Sequence, residues 1–425
     1  MFIIKNFLTT VKNKERSVFI WNSASAVLNA FQTVIILMVI SRIDNINDAG
    51  TFVIAYALAN LLIMVGRFGV RQYQASDIKE QFSFSEYFIL RIFSTILMMF
   101  VSLIYIGGLY LNGSYNMEKS TVVLLICTVR AVDALEDVFH GLFQQHGRLD
   151  IGGKILTLRF LIYIIEYMIL YYFTHNLIIT SAFCLLTSII LFVLMNGSVM
   201  KNFVYMKKKP DRTHVKELLL DCFPLFISTF LMAYVGNAPK YSIDIVLSSY
   251  EQAQFNYIFM PVFVISLLST FIYQPMINRL AVTWNEKKIS EFWSAILRQT
   301  IIIAILTLLA LAGGYLLGIP VLSLLYGVDL SSYKIELIIL LLGGGALALI
   351  NFFTMVITIT RYQKYLIWGY LIVSICFFLA GKKIAGTHGV MGISIFYTIC
   401  MIILALIFLI YIIVIAKHSK IQTTE

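Results

Sequence analysis

Charge is scarce in this chain. Only 13% of its 425 residues are Asp, Glu, Lys or Arg, and 60% are hydrophobic, whereas soluble domains carry roughly 25% charged residues. A soluble fold has no surface for so much apolar material, so the bilayer is the solvent. Cysteine is sparse too. Cys127, Cys184, Cys222, Cys376 and Cys400 each fall inside an apolar run without a near partner. They read as small apolar residues, not as a disulfide framework or metal site. A Walker A loop, an HExxH run, a CxxC pair and a Gly-rich dinucleotide turn are all missing, so no motif calls for a cofactor. Proline is confined to the second half: Pro210, Pro224, Pro239, Pro261, Pro275 and Pro320 are all six of them.

What the chain has is a series of apolar runs long enough to span, each near the roughly 20 residues that a bilayer requires. They lie near 17–40, 49–70, 87–110, 119–145, 153–174, 176–196, 217–238, 254–277, 298–318, 335–358, 365–381 and 389–416. The first is too long for a signal peptide and lacks a small-residue cleavage site, so it reads as the first membrane helix. With twelve spans, 25 of the 32 Lys and Arg residues fall on the side of the N-terminus. That bias places both termini in the cytoplasm. The net charge of +10 then reflects cytoplasmic loops facing anionic lipid rather than nucleic acid. The longest loop, 197–216, carries Lys207, Lys208 and Lys209. It divides the chain into an N-terminal lobe (1–200), a basic cytoplasmic linker (201–216) and a C-terminal lobe (217–425). The expected fold is an all-α membrane protein of about twelve transmembrane helices. Its two six-helix lobes share one orientation and are related by pseudo-twofold symmetry about the membrane normal. Pro224, Pro261 and Pro275 are candidate bends.

Several spans carry polar residues on one face at 100° per residue. The first has Asn22, Ser25, Asn29, Gln32 and Thr33. The second has Tyr56, Asn60, Arg67 and Arg71. The eighth has Asn256, Gln274 and Asn278. Such stripes serve either interhelical hydrogen bonding or the lining of a water-filled cavity. The fourth span is the most polar, with Arg130, Asp133, Glu136, Asp137, His140 and Gln144 within an arc of about 120°. The fifth shows Arg159, Tyr163 and Glu166 on one face. Ionisable groups in a bilayer are costly and face the bundle interior. If these two spans form a face-to-face hairpin, Arg130 lies level with Glu166, and Asp137 with Arg159. Two ion pairs across the hairpin are therefore expected, with Glu136 and His140 left to face water or substrate. Arg67, Arg71, Arg91 and Arg279 near cytoplasmic helix ends either snorkel to headgroups or bind anions. Gly343, Gly344 and Gly345, inside the tenth span, allow close packing or bending.

The stretch AGTFVIAYALANLLIMVGRFGVRQYQASD (Ala49–Asp77) resembles the second-helix region of polysaccharide flippases. These are the O-antigen or repeat-unit (Wzx-like) flippases of the multidrug/oligosaccharidyl-lipid/polysaccharide exporter superfamily. The stretch NAPKYSIDIVLSSYEQAQFNYIFMPVFVISLLSTFIYQPMINRLA (Asn237–Ala281) is similar to their junction of helices seven and eight. The hydropathy pattern extends the likeness over nearly the whole chain. The resemblance implies alternating access around a central cavity and translocation of undecaprenyl-pyrophosphate-linked repeat units across the bacterial cytoplasmic membrane. That would serve surface polysaccharide such as lipopolysaccharide. It implies as partners the lipid-linked oligosaccharide, membrane lipid, and polysaccharide polymerase and chain-length machinery. By position, Arg67 matches the arginines near the end of helix two in lipid II flippases, although the local motif differs and those relatives have fourteen helices. A multidrug or cation exporter of the same superfamily is the competing reading, and it wants an uncompensated acidic pocket. A membrane glycan polymerase or ligase would want a substantial outer loop, and the outer loops here are short.

Overall fold

The computed structural model describes residues 2–43, 46–77, 81–200, 203, 211–273, 276, 280, 282–284, 286–360, 362 and 364–421. Among the described residues every long element is a helix and none is a strand. Ten of these helices are long and apolar enough to cross a membrane. Packing divides the chain into two units, Met1–Ala233 and Tyr234–Glu425.

The first unit holds α1 (Phe2–Thr9), α2 (Lys14–Arg42), α3 (Ile46–Arg67), α4 (Val70–Ser76), α5 (Phe84–Leu111), α6 (Met117–Gln145), α7 (Leu149–Thr174), α8 (Leu177–Met200) and most of α9 (Arg212–Asp244). Local chemistry starts these helices where it should. Asn13 and Asn116 accept from the backbone N–H of Arg16 and Lys119 at 3.0 and 2.8 Å, satisfying donors that a helix N-terminus leaves open. At the start of α5, the Ser83 N–H and hydroxyl both donate to the Glu86 carboxylate, at 2.6 and 2.8 Å. The other Glu86 oxygen accepts from the Asp211 N–H at 3.2 Å, which fixes the start of α9 against α5. On the short α4, the Tyr73 phenol donates to Asp221 at 2.9 Å. Burial, that hydrogen bond and the Asp221 charge push the phenol up to about 12.

The helix α6 is not among the ten apolar spans, because its charges break the apolar window. It is nonetheless the centre of the unit, packed by α3, α5, α8 and α4. Burial among helices is what a charged helix in this setting requires. The outer helices show the complement: Phe93, Ile96, Phe100 and Ile104 of α5 are exposed along one side, as a lipid-facing stripe would be.

The second unit contains α10 (Ser249–Tyr273), α11 (Ile289–Gly313), α12 (Ile319–Tyr326), α13 (Lys334–Ile359), α14 (Lys364–Cys376) and α15 (Lys382–Ile421). Here α13 is central, packed by α15, α10 and α11. Its glycine triple permits that. A Cβ on Gly344 would lie 2.9 Å from the Val262 carbonyl oxygen on α10; on Gly345 it would strike Thr307 of α11, and on Gly343 Thr398 of α15. Close packing is therefore the role of the triple. The apolar run Lys364–Ile415 is 52 residues, about 78 Å as one helix, against a hydrocarbon core of about 30 Å. It turns at Gly389, whose φ of 59° and ψ of −149° are essentially open to glycine alone. The same internal pairings recur in both units: α3 on α6 and α6 on α8 in the first, α10 on α13 and α13 on α15 in the second. These are the second, fourth and sixth expected spans of each half.

The helix α9 runs through Pro224 and Pro239 to Asp244. Lys240, expected in an outer loop, thus lies inside a helix and is buried.

Candidate functional site

The polar face of α6 is the backbone of a buried network in the first unit. Asp133 sits at its middle. It accepts from Arg130 on the same helix and from Arg159 of α7, both at 2.8 Å. Arg159 also pairs with Glu136, whose second oxygen accepts from the Asn196 amide of α8 at 2.7 Å. One turn further along α6, Asp137 accepts from Arg91 of α5 at 2.9 Å and from Arg71 of α4 at 3.2 Å. Arg91 is fully buried. Its other arm donates to the Gly66 carbonyl at 2.8 Å, to which the Ser94 hydroxyl also donates. Gly66 permits this approach: a Cβ there would lie 2.8 Å from Met98 and 3.0 Å from Ala134.

Arg67, at the end of α3, makes no ion pair with any described residue, and its Nε is buried without a partner. It stands within Coulombic reach of Asp133 and Asp137. The network thus holds five arginines, Arg67, Arg71, Arg91, Arg130 and Arg159, against three carboxylates. Arg91, Arg130 and Arg159 each hold a carboxylate through their terminal nitrogens, with Nε left unpartnered. The surplus positive charge sits at Arg67 and at Arg71, whose side chain keeps 30% exposure. Polar groups continue the network outward from Arg130. The guanidinium lies 5.2 Å from the ring centre of Tyr56, an ordinary cation–π distance. The Tyr56 hydroxyl donates to Tyr163 at 2.5 Å and accepts from Gln32 at 3.3 Å. A gap with room for about one water is lined by Gln32, Arg130, Asp133, Arg159, Tyr163 and Ser188.

The expected hairpin pairs do not form. Arg130 takes Asp133 instead of Glu166, and Asp137 takes Arg71 and Arg91 instead of Arg159. The reason is lateral packing. The main neighbour of α7 is α2, and that of α6 is α3, so the two stripes meet only at Arg159, which takes Asp133 and Glu136 in place of Asp137. Glu166 turns to α8 and accepts from the Thr187 hydroxyl at 2.7 Å. Glu136, expected to lack a partner, has two. His140 is buried against Gly152 of α7 with its Nε2 unpartnered.

The other expected residues scatter. Asn22 is half-buried and donates to the Val18 and Leu149 carbonyls, a structural tie between α2 and α7. Asn29 is exposed and Asn60 half-buried. Asn256 is buried in the second unit, and Gln274 and Arg279 lie outside the described residues. Arg91 does not snorkel; it is a core member of the network, as is Asn196. Their sequence signals were weak: an arginine followed by Ser94 and Thr95 in an apolar run, and a lone amide at the end of the sixth span.

Comparison with solved structures shows which fold carries this network. Over 92% of this chain and 95% of the other, the fold superposes on the inward-facing conformation of a multidrug resistance MATE family transporter of the MOP superfamily, with a TM-score of 0.71 and 11% identity. Over 95% and 90%, it superposes on the lipid II flippase MurJ in an inward closed conformation, with a TM-score of 0.72 and 14% identity. The fold is that of the MOP-superfamily transporters. At these identities the likeness is one of fold alone. In sequence, the chain is 21% identical over 320 residues to the capsular polysaccharide biosynthesis protein CapF of Staphylococcus aureus, covering 75% of this chain and 78% of that protein. No family model matches the chain.

Proposed function

We propose that this MOP-fold protein is a flippase. It carries undecaprenyl-pyrophosphate-linked oligosaccharide repeat units from the inner to the outer leaflet of the bacterial cytoplasmic membrane, by alternating access, for surface polysaccharide synthesis. In this reading twelve spans form two six-helix lobes, 1–200 and 217–425, joined by the basic linker 201–216, with both termini cytoplasmic. The helix α6 and the segment beyond Gly389 are spans in their own right. The observation that carries the reading is the uncompensated positive charge of Arg67 and Arg71 at the edge of a buried polar network. A pyrophosphate is matched by guanidinium donors, and its lipid tail remains in the bilayer. The likeness to a lipid II flippase in fold, and to a capsular polysaccharide protein in sequence, supports the same substrate class. Handing the product to a polysaccharide polymerase and its chain-length machinery belongs to this proposal.

A multidrug or cation exporter is disfavoured by the same charges. Asp133, Glu136 and Asp137 each carry an arginine partner, so the α6 network itself offers no acidic pocket in want of a cation. Depleting the protein in its native bacterium tests the proposal. Lipid-linked repeat units should accumulate on the cytoplasmic leaflet while surface polysaccharide falls. Unchanged surface polysaccharide together with altered drug efflux would overturn it.

A further inference from the structure

Lys240 of the second unit belongs to no part of the network above. It lies in the last two turns of α9, where a lysine ordinarily extends its ammonium outward to the membrane surface. This one does the reverse. Side chains lean toward the N-terminus of their own helix, so Lys240 points back along α9, away from the helix end. Its Nζ lies 5.5 Å from the ring centre of Phe259 and 5.9 Å from that of Phe263. Phe259 is ten residues into α10, about 15 Å along its axis. The residue keeps only 8% exposure, and among the described residues no charged group acts on it.

A second observation points to the same place. Gln252, Asn256, Phe259 and Phe263 fall within about 60° on one face of α10 at 100° per residue. Gln252 donates to the Lys240 carbonyl at 3.3 Å, which fixes this face against the lysine. Asn256, one turn deeper, is 2% exposed, and its Nδ2 donor has no partner. An ammonium within cation–π reach of two rings and an unpartnered amide donor are thus held on one apolar aromatic wall, where the Gln252 Oε1 is also left without a partner. Buried donors and charges left this way are costly and are explained by a group that arrives to accept from them.

We propose that Lys240 and Asn256 form an anion subsite in the second unit that takes a carboxylate on the transported glycan, such as that of a uronic acid. The inference rests on the flippase reading for its cargo, and it selects acidic repeat units over neutral ones. The full-length protein in proteoliposomes is given two lipid-linked trisaccharides that differ only in carrying glucuronate or glucose. Wild type should move the acidic one faster. Lys240→Met and Asn256→Leu should lose that preference while moving the neutral one at the wild-type rate. Equal slowing of both glycans, or an unchanged preference, would overturn the subsite.

Transport of neither glycan by wild type would reject the flippase reading instead, so a binding measurement runs beside it. Thermal unfolding is followed in neutral-lipid nanodiscs with glucuronate or glucose, and in discs containing phosphatidylglycerol. Stabilisation of wild type by glucuronate but not glucose, lost in both variants, supports the subsite independently of transport. Stabilisation by phosphatidylglycerol alone, lost in Lys240→Met, would assign the lysine to a lipid phosphate and overturn the proposal.

Discussion

Arg91 and Arg67 both bear on Asp137 from adjacent helices but differ in what removing each would leave behind. Arg91 has no exposure and answers both Asp137 and the Gly66 carbonyl. Arg91→Met leaves Asp137 to Arg71 alone and the Gly66 carbonyl to the Ser94 hydroxyl alone, and breaking a buried pair in this way costs about 3–5 kcal/mol. Thermal unfolding of the purified protein should show that loss. Arg67 has no ion-pair partner among the described residues. Arg67→Gln should leave unfolding nearly unchanged and yet lower transport about tenfold or more, the loss of roughly 1.4 kcal/mol of substrate contact. Partner choice is tested by double-mutant cycles. Arg159 with Glu136 should couple by about 0.5–3 kcal/mol, whereas Arg130 with Glu166 should be additive.

At the scale of elements, helical period exposed the polar face of α6 in the sequence, but not the partners of that face. Period places Arg130, Asp133 and Asp137 on one stripe whatever surrounds them. Which arginine meets which carboxylate is decided by lateral packing, and the packing of α7 on α2 is written across two distant segments. Arg91 was obscured for the same reason, since the space it fills is opened by Gly66 on another helix. Lys240 was hidden by a boundary: Pro239 suggests a helix end, but α9 continues to Asp244. The glycine triple of α13 was legible as a packing device, and it yields a sharp expectation. Gly344→Ala puts a methyl 2.9 Å from the Val262 carbonyl oxygen and 3.0 Å from its Cα. Backbone cannot step aside as a side chain can, so the change should cost about 1–3 kcal/mol. Gly313→Ala, where a Cβ meets nothing within 4 Å, should be neutral or stabilise α11 by up to roughly 1 kcal/mol. Denaturation of the two variants side by side checks the pair.

For the whole molecule, composition was the most informative signal. So little charge over so long a chain left only the bilayer as solvent, and the all-helical fold of the MOP transporters agrees with that. Substrate class is decided by something finer, the sign of the charge left over after internal pairing. Counted across the chain, +10 says little, because it sums charges from every part of the molecule. Counted within the buried network of the first unit, five arginines against three carboxylates favours an anion. The most direct measurement is leaflet transfer in proteoliposomes of an undecaprenyl-pyrophosphate-linked oligosaccharide by wild type and by Arg67→Gln/Arg71→Gln. The account predicts that wild type moves the glycolipid and that the double variant, though folded, does not. Undiminished transfer by the double variant, or export of organic cations in place of the glycolipid, would contradict it.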